Sequence, residues 1–314
     1  MDIIFFGSSD FAVPTLEALL RSRHRLLGVV TQPDRKGGRH LALQAPPVKT
    51  AALSSGIPVY QPLNASSDEA IEYLKNLKPD LFVVVAFGQI LKKRLLGVPK
   101  IFSINLHGSL LPRYRGASPI HWALINGETT TGATVIRINL AMDAGDSIAR
   151  QEVAIDSEDT SATLTGKISR IGAKLVLESL EMIERGAAHF EPQDESSVSY
   201  APKLKKADGL IDWNKPASSI HNLVRGVQPW PGAFTYLNGK MIKIIRTETV
   251  PVSGEERSAP GSVVEIRPLK GIVVRTGSHG ILITHLQLEG KKILDADSFL
   301  RGHPVRIGDR FMIE

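Results

Sequence analysis

Short, continuously apolar segments alternate with amphipathic segments through the first half of this chain. Four apolar runs are rich in β-branched and aromatic side chains: residues 3–6, 26–31, 81–87 and 101–106. Between them, residues 13–20 and 69–77 repeat their apolar side chains at the spacing of an amphipathic helix. Strands without a polar face occur mainly in parallel sheets that helices cover on both sides. The pattern therefore predicts an α/β fold, a Rossmann-like, doubly wound, mostly parallel sheet.

The first strand-to-helix turn argues against an enzyme that depends on a dinucleotide or a nucleoside triphosphate. It reads Gly7-Ser8-Ser9-Asp10 rather than G-x-G-x-x-G, and a G-x-x-x-x-G-K-S/T phosphate loop occurs nowhere in the chain. Ligands of doubly wound folds bind at the carboxyl ends of the strands. We therefore expect a ligand site at that edge without a nucleotide-binding loop.

The composition changes near residue 191, which predicts two domains joined by a linker. A length of 314 residues suits two domains of ordinary size. The α/β pattern covers residues 1–190, and the polar, aperiodic stretch 191–207 is the candidate basic linker. Residues 208–314 consist of short apolar runs separated by Gly, Asn and Pro turns. Regularly spaced short strands predict a small OB-like β-barrel, a fold that often holds nucleic acid.

The charge of the chain is compatible with a polyanionic partner. The formal net charge is +6, and the final third is more basic per residue than the rest. The linker itself carries Lys203, Lys205 and Lys206. Many ordinary enzymes are equally basic, so charge alone does not distinguish a nucleic-acid-binding protein from one of them.

Several function classes are excluded by residues and motifs that the sequence lacks. Without cysteine there is no thiolate nucleophile, disulfide, iron–sulfur cluster or cysteine-bound zinc. Neither a G-x-S-x-G elbow nor an H-E-x-x-H pair occurs, so we expect neither a serine hydrolase nor a metal site. The longest apolar run falls far short of the roughly 20 residues of a membrane helix. No basic segment precedes the first apolar run, as it would in a signal peptide. We expect a cytoplasmic protein without a membrane segment.

The densest cluster of polar and turn-forming residues is 105–116, at the end of the last predicted apolar strand. Asn105 and His107 are two positions apart, so on an extended backbone they project to the same side. An Asn amide and a protonated imidazole both donate hydrogen bonds, as stabilisation of an oxyanion requires. For N-x-H alone, a capping Asn and a His bonded to backbone is the other interpretation. The Gly, Pro and apolar residues that follow favour the wall of a binding pocket.

A second turn, residues 141–146, offers a carboxylate. It joins the predicted strands 133–140 and 148–155. Asp143 beside an imidazole would favour the charged ring and could accept a proton itself. Asp is also an ordinary turn residue, and Asp146 is the rival carboxylate. Without a covalent nucleophile, acid–base and oxyanion chemistry remain, which suits group transfer through a tetrahedral intermediate.

Together these motifs resemble the formyltransferases that use 10-formyltetrahydrofolate. The resemblance rests on Asn105 and His107, on the string 109–116 that follows them, and on Met-Asp-Ala-Gly-Asp at 142–146. Further matching strings extend it over essentially the whole chain: residues 4–12, 31–35, 38–39, 47–49, 211–213 and 229–232. This agreement points in particular to the bacterial members that formylate the methionine carried by initiator tRNA.

The resemblance implies a formyltransferase fold in which Asn105, His107 and Asp143 are catalytic. It implies initiator methionyl-tRNA as the acceptor and formyl transfer to the α-amine of its methionine. The donor, 10-formyltetrahydrofolate, would bind to the end of one strand and to the segment after another: Phe87, Gly88, Gln89 and Ile90, and Ser109, Leu110, Leu111 and Pro112. No metal is implied.

Binding of tRNA is expected at two places in the sequence. The resemblance places Arg39, in the loop after the second strand, at the acceptor end of the tRNA. Lys203, Lys205 and Lys206 of the linker would contact its backbone. Family members commonly carry basic residues directly after this Arg, whereas this chain has His-Leu-Ala-Leu at 40–43, which weakens the expected contact with phosphate. We expect the protein to act as a monomer.

Two other functions fit parts of the sequence. A formyltransferase of the same superfamily that acts on an amino-sugar nucleotide shares the N-terminal motifs and also has a trailing β domain. A folate- or RNA-binding protein without catalysis belongs to a different class. Arg39 and the basic final third favour tRNA over the sugar nucleotide. Asn105, His107 and Asp143 favour an enzyme over a binding protein.

Overall fold

The computed structural model describes residues 1–37, 42–252 and 258–313 of the chain. By internal contacts, the chain divides into two compact units. The first unit consists of Met1–Pro119, Thr130–Ala154 and Thr165–Ala201. The second consists of Ile120–Thr129, Ile155–Leu164 and the residues from Pro202 onward. The domain limits expected from the sequence, at 190 and 208, stay a prediction.

The strands of the first unit form a mostly parallel sheet and a hairpin. The described strands are β1 (Asp2–Gly7), β2 (Arg25–Val30), β3 (Arg35–Gly37), β4 (Ala42–Gln44), β5 (Val59–Tyr60), β6 (Leu81–Val85), β7 (Phe102–His107), β8 (Thr130–Arg137) and β9 (Ser147–Ala154). Seven of them pair in the order β5-β2-β1-β6-β7-β8-β9, while β3 and β4 pair with each other. Pairing is parallel from β5 to β7 and antiparallel for β8 and β9. The predicted doubly wound α/β sheet is confirmed.

The apolar runs of the sequence form the inner strands of this sheet. Every residue of β6 is buried, and so are residues 3–6 of β1. The ring of Phe6 lies 4.8 Å from that of Phe82 and 5.2 Å from that of Phe87, centroid to centroid. A strand with no exposed face needs apolar side chains at successive positions, which is why these runs do not alternate.

Four helices lie between strands of the parallel part of the sheet: α1 (Val13–Leu20), α2 (Pro47–Ser54), α3 (Asp68–Asn76) and α4 (Lys93–Leu96). The helical spacing of the sequence predicts α1 and α3. Two more helices follow the later strands: α5 (Pro119–Ile125) after β7 and the long α6 (Ser161–Glu184) after β9. Pro14 occupies the first turn of α1, where a missing backbone N–H costs nothing. The Ser67 side chain caps α3 by accepting a hydrogen bond from the backbone N–H of Ala70. Among the described residues, no helix combines the length and apolar character that crossing a membrane requires.

Besides most of α5, the described part of the second unit is a small antiparallel β structure with two further helices. Its elements are α7 (Ala217–Gly226), β10 (Ala233–Leu237), β11 (Lys240–Val250), β12 (Val263–Arg267), β13 (Gly271–Arg275), β14 (Gly280–Leu288), β15 (Leu294–Asp295) and α8 (Ala296–Gly302). The strands pair in the order β10-β11-β14-β13-β12, and β15 pairs with β14. All of these pairings are antiparallel.

The end of the chain connects the two edges of this sheet. Arg310 forms a bridge with Ser262, just before β12, and Met312 forms one with Tyr236 of β10. Between them, the buried ring of Phe311 packs on Trp213 at 5.6 Å between centroids. The edge strands thus find partners, as closure of a small barrel requires. The OB-like β-barrel expected from the sequence is confirmed.

Candidate active site

Two polar side chains lie near the end of β7, in the interior of the seven-stranded sheet. Asn105 is in register with Val84 of β6, and His107 with Thr134 of β8. His107 is 6% exposed, whereas Asn105 is half-buried and lines a cavity. In the described part of the chain, the Asn105 amide has no hydrogen-bond partner, so it is available to a ligand. The predicted pair is thus present at a strand end, where Asn105 faces the cavity and His107 is buried.

The imidazole of His107 is held between a carbonyl and a carboxylate. Its Nε2 lies 2.9 Å from the carbonyl oxygen of Tyr114. Because a carbonyl only accepts hydrogen bonds, Nε2 carries the proton in the neutral ring, and Nδ1 is left as the acceptor. Nδ1 faces Oδ2 of Asp143 at 3.7 Å, an ion-pair distance longer than a direct hydrogen bond. Protonation of Nδ1 therefore creates a cation directly beside this carboxylate.

Asp143 reaches the histidine from the turn after β8. Its backbone has a φ of +52°, a conformation that is uncommon for a residue with a side chain. Its Oδ2 accepts a hydrogen bond of 2.9 Å from the backbone N–H of Gly116. Among the described residues its Oδ1 has no hydrogen-bond partner. One oxygen is therefore fixed and the other is free to contact a substrate.

The rival carboxylate occupies a different position. The backbone carbonyl of Asp146 accepts a hydrogen bond from the N–H of Arg137, which continues the ladder between β8 and β9. Within the described ranges, its carboxylate makes no contact with His107. The structure thus brings Asp143, and not Asp146, to the imidazole.

A cavity of about 200 Å³ lies beside these groups. Its apolar lining comes from strands β6 and β8, the segment after β6 and the turn after β8: Val84, Ile90, Leu91, Ile136, Ile138, Leu140, Ala141 and Met142. Its polar lining consists of Gln89, Asn105, Asn139 and Asp143. Apolar walls with a few convergent polar groups are typical of a small-molecule site.

The expected folate-binding residues differ in their relation to this cavity. Gln89 and Ile90 line it, and Ile90 is 82% exposed. Phe87 belongs to the core and Gly88 follows it at a φ of +85°. The described lining does not include the second expected segment, Ser109, Leu110, Leu111 and Pro112.

Polar groups of that second segment form hydrogen bonds within the protein. Ser109 is buried, and its hydroxyl donates a 2.6 Å hydrogen bond to the carbonyl of Arg113. The Leu111 N–H donates to the hydroxyl of Thr134, and that hydroxyl donates to the Ser109 carbonyl. The segment therefore shapes the turn that carries Tyr114, the residue whose carbonyl accepts from His107.

Sequence reasoning missed the part of the cavity that the turn after β8 provides. Leu140 and Met142 are 66% and 69% exposed, although they are large apolar side chains. Asn139 holds the turn by donating to the Ala144 carbonyl and accepting from the Ala141 N–H. Apolar residues within an otherwise polar turn were the available signal, since such positions on a surface often bind a ligand.

The expected tRNA-binding residues fall into a described and an undescribed group. Lys203, Lys205 and Lys206 are all exposed. None of the three forms an ion pair with any described residue, so their ammonium groups are available to an anionic partner. Arg39 lies outside the described residues. Asp34 directly precedes β3. Its carboxylate pairs with Lys49 at 2.7 Å and accepts a hydrogen bond from the side-chain amide of Gln61.

These groups suit acid–base and oxyanion chemistry. A free amide donor and a carboxylate with one free oxygen line one cavity, and the enclosed imidazole lies beside that carboxylate. Preorganised donors of this kind stabilise negative charge that develops on a carbonyl oxygen. The part of the chain that the structure describes contains no group of three or more His, Asp or Glu side chains able to hold a metal ion.

Comparison with known proteins gives matches over nearly the whole chain. The family model described as formyl transferase matches residues 1–180, and the model of the formyl transferase C-terminal domain matches residues 203–304. A methionyl-tRNA formyltransferase of Geotalea uraniireducens is 46% identical over 308 residues, which cover 98% of this chain and 97% of that protein.

Two solved structures share the fold at lower sequence identity. An N-formyltransferase of Helicobacter canadensis, solved with folinic acid and dTDP-3-aminofucose, has a TM-score of 0.67 at 20% identity, covering 90% of this chain and 98% of that one. HypX of Aquifex aeolicus, solved with tetrahydrofolic acid, has a TM-score of 0.62 at 20% identity. The match covers 95% of this chain and 46% of HypX, so this chain spans about half its length. The chain belongs to the formyltransferase family and, within it, to the methionyl-tRNA formyltransferases.

Proposed function

We propose that this chain transfers the formyl group of 10-formyltetrahydrofolate to the α-amine of methionine esterified to initiator tRNA. The products are formylmethionyl-tRNA and tetrahydrofolate. The observation that carries this proposal is the 46% identity, over nearly the full length of both chains, to a relative named for this activity. Since the charged tRNA acceptor belongs to translation, we propose a cytoplasmic enzyme, and we propose that it acts as a monomer.

The folate donor binds in the cavity beside Asn105. Its flat, aromatic end is matched by the apolar walls, and Leu140 and Met142 offer an exposed apolar rim to the rest of the molecule. A cavity of about 200 Å³ is smaller than the roughly 300 Å³ or more that encloses a drug-sized ligand. Only part of the folate is therefore enclosed, and the formyl group lies toward Asn105.

Asn105 and His107 stabilise the oxygen that becomes negative during the reaction. When the amine attacks the formyl carbon, the C=O double bond becomes a single bond and its oxygen gains charge. The unpartnered amide of Asn105 donates a hydrogen bond to this oxygen. His107 lies beside Asn105 on the same strand, with its Nδ1 3.7 Å from the carboxylate of Asp143.

Asp143 orients His107 and assists the movement of one proton. The attacking nitrogen becomes positive and must lose a proton before the tetrahedral intermediate can collapse. The free Oδ1 of Asp143 accepts that proton. The bond between the formyl carbon and the folate nitrogen then breaks, and this nitrogen takes the proton held on Oδ1, which restores the Asp143 carboxylate and creates no net charge. Oδ2 stays on the Gly116 N–H throughout, which keeps the carboxylate in place.

Binding of the tRNA is assigned to the exposed lysines, the barrel and Arg39. Lys203, Lys205 and Lys206 have no acidic partner among the described residues, so no ion pair must break before they contact phosphate. Such contacts are insensitive to sequence and weaken with salt. We assign Arg39 to positioning the acceptor end, where the amine must meet the formyl carbon.

The proposed function is tested by offering the purified protein a formyl donor and three acceptors. These are charged initiator methionine tRNA, charged elongator methionine tRNA and an amino-sugar nucleotide. We expect formylation of the charged initiator tRNA in preference to the other two. Transfer to the sugar nucleotide alone, or no transfer to any acceptor, would contradict the proposal.

Replacement of Asn105 or His107 by Ala should lower turnover by about 100-fold or more, the usual loss for one oxyanion-hole donor. The measurement is single-turnover formylation of charged tRNA, with circular dichroism as the check of folding. His189→Ala and Asn76→Ala are matched controls because both residues are exposed in the same unit. A rate like that of the wild type in either active-site variant would contradict the assignment.

Asp143→Asn should remove most of the activity, because the carboxylate that faces Nδ1 of His107 and accepts the amine proton is lost. Asp146→Asn should have a smaller effect, since only its backbone carbonyl continues the strand ladder. The measurement is turnover across a pH series for both variants. If Asp146→Asn were the more damaging change, the carboxylate would be assigned to the wrong end of the turn.

Changing Lys205 and Lys206 together to Ala should weaken tRNA binding and flatten its salt dependence. Each lost phosphate contact should reduce the slope of log affinity against log salt by roughly 0.7 to 0.9. Folate binding should be unaffected. The control is the pair Lys75→Ala and Lys174→Ala, which removes two exposed lysines from helices of the first unit. An unchanged slope in the linker variant would count against the assignment.

A further inference from the structure

Segment 191–201, the last part of the first unit, forms hydrogen bonds with two other parts of that unit. At its start, Glu191 and Ser147 exchange two backbone hydrogen bonds of 2.8 and 2.9 Å, which pairs the segment with the first residue of β9. Near its end, the backbone of Arg115 donates to the Ser199 carbonyl and accepts from the Ala201 N–H. The segment is thus tied both to the strand after the Asp143 turn and to the residue before Gly116.

Between these two anchors, Gln193 reaches the turn that carries Asp143. Its Nε2 donates hydrogen bonds of 2.8 and 2.7 Å to the backbone carbonyls of Asp143 and Gly145. Its Oε1 accepts from Nε and Nη2 of Arg115 at 3.0 and 2.9 Å. With carbonyls on one side and a guanidinium on the other, only one orientation of the amide is satisfied. All its hydrogen-bonding groups are used to connect Arg115 to the turn.

Arg115 is a fixed support for this contact. It is 4% exposed, and a buried guanidinium requires partners for its charge and its N–H groups. Besides Gln193, it donates to Glu195 through Nη1 at 3.3 Å and Nη2 at 2.8 Å. This contact holds the pKa of the Glu195 carboxyl below its usual value. The side chain of Arg115 is therefore held as firmly as its backbone.

The turn needs such a support because of its backbone conformation. A φ of +52° at Asp143 lies in the left-handed region, which is sparsely populated by residues with a side chain. Asn139 holds the turn from within, through Ala141 and Ala144. Gln193 is the contact from outside the turn that bonds to the carbonyl of Asp143 itself.

We propose that Gln193 is a positioning residue, which together with Arg115 holds the left-handed turn so that the Asp143 carboxylate stays at His107 and at the Gly116 N–H. The inference rests on the proposed function, because it assigns Gln193 a role in formyl transfer. Gln193 is not among the described residues that line the cavity. Its effect on the reaction passes through Asp143.

Gln193→Glu tests the role with little change in shape. The carboxylate of the variant still accepts from Arg115, but it has no N–H to donate to the carbonyls of Asp143 and Gly145. The turn should loosen, and kcat for formyl transfer should fall at least about tenfold, which corresponds to ~1.4 kcal/mol of transition-state stabilisation. Gln151→Glu is the matched control, since Gln151 is exposed on β9 and donates only to the Glu152 carbonyl.

A double-mutant cycle with Asp143→Asn separates positioning from a general loss of stability. If Gln193 acts through the carboxylate, Gln193→Glu should lower the rate much less in the Asp143→Asn background than in the wild type. A merely structural residue would lower both rates by the same factor. Equal factors in the two backgrounds, or an unchanged rate in the wild-type background, would overturn the proposal.

Hydrogen exchange at the Gly116 amide gives a result that does not depend on activity. Its hydrogen bond to Oδ2 of Asp143 should weaken in Gln193→Glu, so exchange at this amide should become faster while global stability is followed by thermal unfolding. Unchanged exchange would contradict the proposal. If the wild type failed to formylate charged tRNA, the proposed function would be wrong, and the exchange rate would still decide whether Gln193 positions Asp143.

Discussion

The enclosure of His107 between a carbonyl and a carboxylate is the interaction on which the rest of the site depends. Because Nε2 donates a hydrogen bond to the Tyr114 carbonyl at 2.9 Å, the ring has one remaining nitrogen, and Asp143 faces it. The ring is almost completely buried, so it has little contact with water. Its remaining nitrogen therefore faces one carboxylate, and every element that places that carboxylate takes part in the chemistry.

The fold brings these groups together from distant parts of the sequence. β7 lies inside the sheet, so the polar residues at its end are flanked by strands on both sides. The turn after β8 folds back to Asn105 and His107, and it is tight: a Cβ on Gly145 would lie 1.7 Å from the carbonyl oxygen of Arg137. Segment 191–201 then binds this turn from outside. A catalytic carboxylate on a turn is thereby held nearly as rigidly as one on a strand, as site geometry demands.

The sequence predicted the parts of the structure that have a period or a local signal. The buried strands β1 and β6, the helices α1 and α3, and the strands of the barrel follow from apolar spacing, which hydrophobic burial enforces directly. The short strand β5 and the hairpin of β3 and β4 carry too few residues for any period to show. Helices α2 and α5 also went unpredicted, and their recognition required the packing of the folded chain.

The candidate site was predictable as far as its side chains carry a motif. Asn105, His107 and Asp143 stand in recognisable strings, and the structure brings His107 and Asp143 together. The partner of His107 at Tyr114 is a backbone carbonyl, which every residue possesses and no side chain marks. Gln193 lies 50 residues from the turn that it binds, within a stretch that looks like a polar linker. Long-range contacts to backbone atoms leave no local pattern, so only the structure reveals them.

The proposed arrangement of the site is tested most directly by measuring which ring nitrogen of His107 carries the proton. Nitrogen NMR of protein labelled at its histidine rings, with the His107→Gln variant to assign the signal, reports which ring nitrogen carries the proton. We expect the neutral ring to carry it on Nε2, with the Nδ1 signal changed in Asp143→Asn. A neutral ring protonated on Nδ1 would contradict the account, because His107 would then neither donate to the Tyr114 carbonyl nor gain its second proton beside Asp143.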